Sequence, residues 1–524
     1  MDFTSKLSNG LLSEIFTFLP TTLPSPLYST VLVCKRFHEH ATPILYSHIT
    51  LTSIESPQSF HQPSLDALSN SPHLKHVKKF SIRTVPCEVY DDGSYTIKPR
   101  ALEDMGLQLS FFCLKFEEGQ VKEVTTDHLG IMAYTPSHLR QVTKFATATL
   151  YSRGGQELDA ARETELFISL QELRINDFAG GFSNFARAWK FLQSVRSTLK
   201  KVHFVGSGAL MVIYVSEENQ LGSILEKYTF SNEEGGGRLD NVEELMLEYL
   251  VKLDDVIVPF GKMIDMEKVR RMKMVLCETS FAFMSHAVGI MKDLIHLDLS
   301  VGNGGREKIE EVLKGVSSTG LRSLRIKCAD KTGAGRKISI DAFEKHQGTL
   351  RRLWVEYYTK QPDQIIVAED EDEDKWMQEI PVRWHKDASD DLNLETLAGF
   401  AMLEHLAVAL DKDRAWDDWA PKFPSLKSLH VLNSRQLQHR MTSELLPFQK
   451  AWVKWFASPY EERTCPLQVV SFEDGEDLTW YNLGAHSGLP RIDGLQDLDP
   501  QARVSRKDVK LWYPDIGDFL DIGY

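Results

Sequence analysis

The sequence predicts an α/β chain built as a β–α solenoid and preceded by a small helical module. Three observations predict it. A six-residue pattern, apolar-x-x-apolar-x-apolar, recurs along most of the 524 residues. Helix-patterned stretches lie between its copies. Residues 1–50 hold more large apolar side chains than so short a segment buries by itself.

The repeat comes first because it sets the architecture. Its copies are LQELRI (170–175), LKKVHF (199–204), VEELML (242–247), VRRMKM (269–274), LIHLDL (294–299), LRSLRI (321–326), LRRLWV (350–355), LEHLAV (403–408), LKSLHV (426–431) and LQVVSF (467–472). Weaker copies are VKKFSI (77–82) and VTKFAT (142–147). Five consecutive copies, from 242 to 350, start 27, 25, 27 and 29 residues apart. Chance produces isolated matches in a chain that is 42% hydrophobic, but not an evenly spaced run. The last two apolar positions are two apart, so they share one face of a short strand.

The intervening stretches read as helices. FSNFARAWKFLQSVRS (182–197) sets Phe185, Trp189, Leu192 and Val195 at helical spacing, and REKIEEVLKGV (306–316) does so with Ile309, Val312, Leu313 and Val316. One β–α unit cannot bury both its faces, whereas a stack of units can. Parallel strands then line one face and helices the other. The wider gaps of 43, 53 and 41 residues hold insertions or hidden repeats.

Over roughly residues 70–475 this pattern resembles the leucine-rich-repeat family in its longer β–α form. The resemblance implies a horseshoe-shaped solenoid. That family sets Asn or Cys three positions past the last apolar residue, where it ties down the turn. Cys277 stands there after VRRMKM, but Gly302 and Ala329 stand there after the next two copies. The resemblance therefore implies a less regular horseshoe.

In LSNGLLSEIFTFLP, Leu11, Leu12, Ile15, Phe16 and Leu19 form a wide helical apolar stripe. Ser8 or Asn9 caps its start and Pro20 follows its end. A second short helix carries Leu27, Tyr28, Val31 and Leu32, and VCKRFHEHATPILY begins a third. A helical cap on the solenoid explains such a module.

Leu7, Leu11-Leu12, Ile15, Phe16, Leu19-Pro20, Val33-Cys34-Lys35-Arg36-Phe37 and Leu45-Tyr46 together resemble an F-box. Ser8 stands where that family sets Pro, and Gly10 where it sets Glu. The resemblance implies docking on a Skp-type adaptor through Leu7, Leu11, Leu12, Ile15, Phe16, Leu19, Pro20, Val33, Cys34 and Phe37. Through that adaptor it implies a cullin–RING ubiquitin ligase, with the repeats capturing a protein substrate. The chain would then be the substrate-recognition subunit of a Skp–cullin–F-box ligase. The alternative is a non-catalytic solenoid scaffold acting outside ubiquitin transfer. The expected organisation is an F-box module at 1–50, a solenoid at 51–475 with an acidic insertion near 361–395, and a C-terminal cap or tail at 476–524.

Composition excludes other classes. The formal net charge of −14 opposes a nucleic-acid-coating role. Residues 361–420 hold 17 Asp/Glu against 5 Lys/Arg, including EDEDED at 369–374, which reads as a solvated run. The six cysteines include no C-x-x-C, and the closest two are 26 residues apart, so reduced thiols are expected. MDFTSKLSNG shows no basic-then-apolar leader, and the longest apolar stretch, ALMVIYV, is far short of a membrane span. A cytoplasmic or nuclear protein is expected, with neither membrane nor nucleic acid as partner.

Candidate chemistry is sparse. HEH (38–40) does not extend to H-E-x-x-H, because Thr42 stands at the decisive position. GSG (206–208), GNGG (302–305) and GAGRK (333–337) fit no phosphate-loop pattern. No catalytic residue, metal site or cofactor is expected, and the chain reads as a non-enzyme. The residues between the apolar strand positions should face outward. In neighbouring repeats these include Arg271, Lys273, Arg325, Lys327, Arg352 and Trp354, a basic stripe beside an exposed aromatic. Such a stripe suits an acidic or phosphorylated protein segment.

Overall fold

The computed structural model describes residues 8–9, 12, 16, 29–53, 59–83, 88–89, 95–96, 99–128, 141–149, 167–176, 192–206, 238–250, 253–277, 280–303, 306–330, 338–360, 384–386, 397, 399–408, 423–432, 467–474, 477–482, 503–504, 509, 513 and 515–516. Two compact units emerge. Unit 1 comprises residues 1–250 and 258–265; unit 2 comprises 251–257 and 266–524.

Unit 1 is a ladder of parallel strands: β1 (His48–Thr52), β2 (Lys79–Arg83), β5 (Glu123–His128), β6 (Lys144–Thr149), β7 (Glu172–Asn176), β8 (Lys201–Val205) and β9 (Glu244–Glu248). A two-stranded antiparallel pair, β3 (Glu88–Val89) and β4 (Tyr95–Thr96), interrupts the sequence order. The apolar pattern dictates the buried side of the ladder. Phe80 and Ile82, Val124, Phe145, Leu173 and Ile175, Val202 and Phe204, and Leu245 and Leu247 all point into the core.

Two strands escaped the sequence pattern. β1 grows from HITLT, and β5 begins inside VKEVTT (121–126), where threonine stands for the last apolar residue. Thr126 is nonetheless fully buried.

The helical module in unit 1 has a core of its own. Leu12 N–H donates to the Ser8 carbonyl at 3.1 Å, a helical turn beginning at Ser8. Helix α1 (Lys35–Leu45) starts at Cys34, whose Sγ accepts from Phe37 N–H at 3.5 Å. Phe37, Ala41, Ile44 and Leu45 fall on one stripe of α1. Leu12, Phe16 and Ala41 are buried together, with Val31, Phe37, Ile44 and Leu45 packed around them. The Phe16 and Phe37 rings meet edge-on at 5.2 Å. Of the predicted second helix, residues 29–31 are helical and Leu32 follows in a turn, while Leu27 and Tyr28, like most of the first helix, lie outside the described residues.

Unit 2 repeats the scheme more regularly. Strands β10 (Arg271–Val275), β11 (His296–Asn303), β12 (Ser323–Asp330) and β13 (Arg352–Lys360) run parallel in unbroken order. β14 (Trp384–Lys386) adds antiparallel to β13, while β15 (His405–Val408), β16 (Ser428–Val431) and β17 (Val469–Asp474) continue the parallel ladder. β18 (Asp477–Asn482) and β19 (Arg503–Val504) close it antiparallel.

Its helices follow the predicted periods. The helix over Arg306–Gly315 buries Ile309, Val312 and Leu313, with Val316 just beyond it. The helix over Phe281–Ile290 buries Phe283, Met284, Ala287 and Val288. Of the helix expected at 182–197, Leu192 and Val195 are buried, while Phe185 and Trp189 lie outside the described residues.

The strand ends share a turn. Tyr249 and Leu276 each follow a strand directly and both adopt positive φ, 55° and 47°. The next residues, Leu250 and Cys277, are buried. Cys277 occupies the position expected to tie the turn, and its thiol lies 3.5 Å from the Val275 carbonyl. Leu250 fills the same position in unit 1 with no polar group, which explains how the pattern survives without Asn. Gly206 is required nearby. Its N–H donates to the Glu248 carbonyl at 2.7 Å, and a Cβ there would collide with the Tyr249 carbonyl.

Candidate interaction surface

The third and fifth positions of each six-residue copy lie between the buried apolar ones. Strand register aligns them into rows across each ladder.

In unit 1 the third-position row alternates in charge: Lys79, Glu123, Lys144, Glu172, Lys201, Glu244. Neighbours pair directly. Lys79 Nζ lies 2.5 Å from Glu123, Lys144 Nζ 2.9 Å from Glu172, and Lys201 Nζ 3.3 Å from Glu172 and 3.4 Å from Glu244. Burial works against ionisation of Glu172, but the Lys144 hydrogen bond and the charges of Lys201 and Lys144 outweigh it and hold the carboxyl below its usual range. The row neutralises itself.

In unit 2 the same row reads Arg271, His296, Ser323, Arg352, His405, Ser428, Val469. It contains no carboxylate. Burial, then the guanidinium groups of Arg271, Arg352 and Arg322, push His296 down to about 4, so its ring is neutral at pH 7. Burial and then Arg352 depress His405 further. His405 Nδ1 meets Ser428 Oγ at 2.9 Å.

The fifth-position row of unit 2 is Lys273, Asp298, Arg325, Trp354, Ala407, His430, Ser471. Here the structure corrects the sequence reading. Trp354 is only 4% exposed and Arg325 5%, so neither is an open binding residue. The Arg325 guanidinium sits 4.9 Å from the Trp354 ring centroid and 3.4 Å from Asp298. Trp354 Nε1–H donates to Glu356 at 3.1 Å, and Lys327 Nζ lies 3.4 Å from the same carboxylate. Trp354 also stacks on His430 at 6.1 Å, and His430 Nδ1 bonds Ser471 Oγ. These charges are held by one another.

The C-terminal segment packs on part of this row. Val509, Tyr513 and Ile516 pack with Trp354, Ala407, Leu432 and Val469 in one buried cluster. Tyr513 N–H donates to the Val509 carbonyl at 2.8 Å, forming a helical turn, and Arg352 donates to the Asp515 carbonyl at 3.4 Å. The sequence read the tail as a cap. Its apolar residues Val509, Tyr513 and Ile516 pack on two fifth-position residues, Trp354 and Ala407.

Of the predicted stripe, Arg271 is exposed, and Lys273, Lys327 and Arg352 are half-buried. Register brings Arg271 and Arg352 into one row and Lys273, Arg325 and Trp354 into the other.

Of the predicted docking residues, Leu12 and Phe16 belong to the module's own core and offer no surface to a partner. They face inward because α1 supplies the complementary stripe. Phe37 is half-buried against them, Val33 and Cys34 are exposed, and Leu7, Leu11, Ile15, Leu19 and Pro20 lie outside the described residues. Leu32, which the resemblance did not select for docking, is 70% exposed beside Val33 at 64%. Among the described residues no cluster could hold a metal ion, and no helix is long and apolar enough to cross a membrane.

No protein-family model matches the chain, and no curated protein matches it. A leucine-rich-repeat protein of Leptospira interrogans is similar in structure at 12% identity and a TM-score of 0.31, over 72% of this chain and 77% of that one. The solenoid-like assignment rests on the parallel register and the repeat, both visible in this chain.

Proposed function

We propose that this chain is a non-catalytic interaction scaffold and, more specifically, the substrate-recognition subunit of a Skp–cullin–F-box ubiquitin ligase in the cytoplasm or nucleus. The observation that carries the docking step is the exposed pair Leu32 and Val33, next to exposed Cys34. Their module already has a closed core in Leu12, Phe16 and Ala41. Large apolar side chains left in water beside a finished core suit a partner surface. The parallel ladders supply the receiving surface for a protein substrate. Such a receptor forms no covalent bond. It raises the effective concentration of its substrate near the ubiquitin-charged enzyme.

Capture of a recombinant Skp-type adaptor by the full chain at micromolar concentration tests this. The expected result is capture by the wild type and loss in Leu32→Asp/Val33→Asp, with thermal unfolding unchanged because both residues are exposed. A Leu12→Asp variant would not discriminate, since it disrupts the module itself. Absence of wild-type capture overturns the proposal.

The second reading, a scaffold outside ubiquitin transfer, is favoured by Ser8 and Gly10, which depart from the F-box pattern. Ubiquitylation of co-purified proteins by the reconstituted cullin complex separates the two.

A further inference from the structure

The helix over Pro99–Cys113 in unit 1 carries two apolar stripes. Met105, Leu109 and Phe112, with Phe116 just beyond the helix, form the buried one. Strand β2 already satisfies it. The Phe112 and Phe116 rings lie 5.8 Å and 5.7 Å from Phe80, and 5.3 Å from each other. Leu107, Phe111 and Leu114 form a second stripe on another side, and they are 49%, 70% and 58% exposed. The helix over Arg306–Gly315 in unit 2 behaves differently, exposing Lys308, Glu311 and Lys314. We propose that the outer stripe is a homodimer seam, on which the same helix of a second copy docks antiparallel. The proposal goes beyond the ligase reading and does not depend on adaptor docking.

Spacing supports it first. Asp104, Leu107, Phe111 and Leu114 follow one another at intervals of 3, 4 and 3 residues. That is the repeat of a helix–helix seam, distinct from the stripe that faces the strands. A two-fold axis across the seam makes the two copies interleave. Setting Leu107 of each copy against Phe111 of the other also sets Leu114 of each beside Asp104 of the other. Each large exposed side chain then gains cover without any change in the helix itself.

Charge selects the second copy over other occupants. Asp104 and Lys115 are eleven residues apart, three helical turns, so they flank the same side of the stripe at opposite ends. Both are exposed, and among the described residues neither has an ion-pair partner in its own chain. In the antiparallel register Lys115 arrives within one residue of Asp104 of the other copy, and the two-fold repeats that pair at the far end. A parallel pair would instead bring Asp104 onto Asp104. A lipid surface fits less well, because Asp104, Glu117 and Glu118 are all exposed around the stripe, whereas helices that lie on membranes carry lysine and arginine there. One helical seam is smaller than the ~800 Å² that a standard interface takes from each partner, so association should be weak, at roughly tens of micromolar.

The test is sedimentation of the full chain across concentration. A monomer–dimer equilibrium is expected. Phe111→Asp should weaken it about a hundredfold or more, because a two-fold pair feels each substitution twice. Asp104→Lys alone and Lys115→Asp alone should each weaken it about tenfold, since like charges then meet at both ends. Mixed together, these two variants should associate with each other about as strongly as the wild type does with itself. All three positions are exposed, so thermal unfolding should not change; should Phe111→Asp fail to fold, the charge variants read the same seam. A chain still monomeric at about 200 μM overturns the proposal. So does a dimer indifferent to Phe111→Asp, or a mixture of the charge variants no tighter than either alone. Flotation with phosphatidylcholine–phosphatidylserine vesicles that depends on Phe111 would assign the stripe to a lipid surface and also overturn it. The Leu32→Asp/Val33→Asp variant should still dimerise and Phe111→Asp should still capture the adaptor, so the two proposals fail separately.

Discussion

Replacing Trp354 by alanine should release the C-terminal segment from unit 2. Trp354 is 4% exposed and touches the segment through the cluster it shares with Val509, Tyr513 and Ile516. Deleting a buried tryptophan side chain costs ~3–5 kcal/mol, the lost burial plus the cavity left behind. If that loss falls on the tail, its opening rises about a hundredfold to a few thousandfold, at ~1.4 kcal/mol per factor of ten. Trp354→Phe keeps a ring over Arg325 and loses the donor to Glu356, whose carboxylate still has Lys327 at 3.4 Å. That variant should cost about 1 kcal/mol, less than a tenfold change in opening. A single melting curve cannot separate these effects in a chain of two units. Hydrogen exchange can. The Tyr513 amide, bonded to Val509, and the Ile516 amide, bonded to Tyr513, report the tail directly. Wild-type exchange at both amides in a folded Trp354→Ala protein would refute the assigned role of this ring.

Two further predictions concern charge. Glu172→Gln removes the carboxylate shared by Lys144 and Lys201 and should lower unit 1 stability by about 0.2–1 kcal/mol per pair, because all three side chains are partly exposed. The cost should shrink in ~1 M salt. Since the folded carboxyl titrates below its usual range, its contribution is present at neutral pH and fades as pH falls through the folded value; denaturant midpoints of wild type and variant should therefore converge in acid, and a constant gap would contradict the ladder. Unit 2 should also be acid-labile. Burial first, aided by nearby cations at all but His430, lowers His296 and His346 to about 4, His430 to about 3 and His405 further still. These rings are neutral when folded but take a proton near 6.5 when unfolded. Stability is thus unaffected above that pH and falls by about 1.4 kcal/mol per pH unit per histidine below it, until the folded value is reached. Hydrogen exchange in β15 and β16 should accelerate between pH 7 and pH 5, after correction for intrinsic rates, more than in β7 and β8; equal changes would count against buried neutral histidines.

The repeat was legible because its apolar positions are the buried ones. Leu294, Leu297 and Leu299 in one copy, and Leu321, Leu324 and Ile326 in the next, are all in the core. β5 was passed over although VKEVTT has the same form as VTKFAT, which reads as a weaker copy; both end in threonine, and Thr126 is fully buried. The candidate surface was half legible. Which residues lie between the apolar ones follows from strand period, but whether they meet water depends on what covers them. Trp354 and Arg325 read as open because nothing in LRRLWV or LRSLRI points to Val509, Tyr513 and Ile516, more than 150 residues away in sequence. Likewise, Leu12 and Phe16 looked like docking residues only while the stripe of α1 was unassigned to them.

One signal was present and passed over. Reading only the third position of successive copies from residue 77 to 247, with VKEVTT included, gives Lys, Glu, Lys, Glu, Lys, Glu. Continuing from 269 to 408 gives Arg, His, Ser, Arg, His. In a parallel ladder adjacent copies place these side chains one strand apart, so such a column is a cross-strand row written out in sequence. An alternating column neutralises itself and needs nothing from outside. The net charge of −14 conceals both columns, because most acids lie elsewhere, many of them within residues 361–420. A whole-chain balance would assign such a protein basic partners. Position within the repeat, rather than total charge, shows which charges neighbour one another along a ladder.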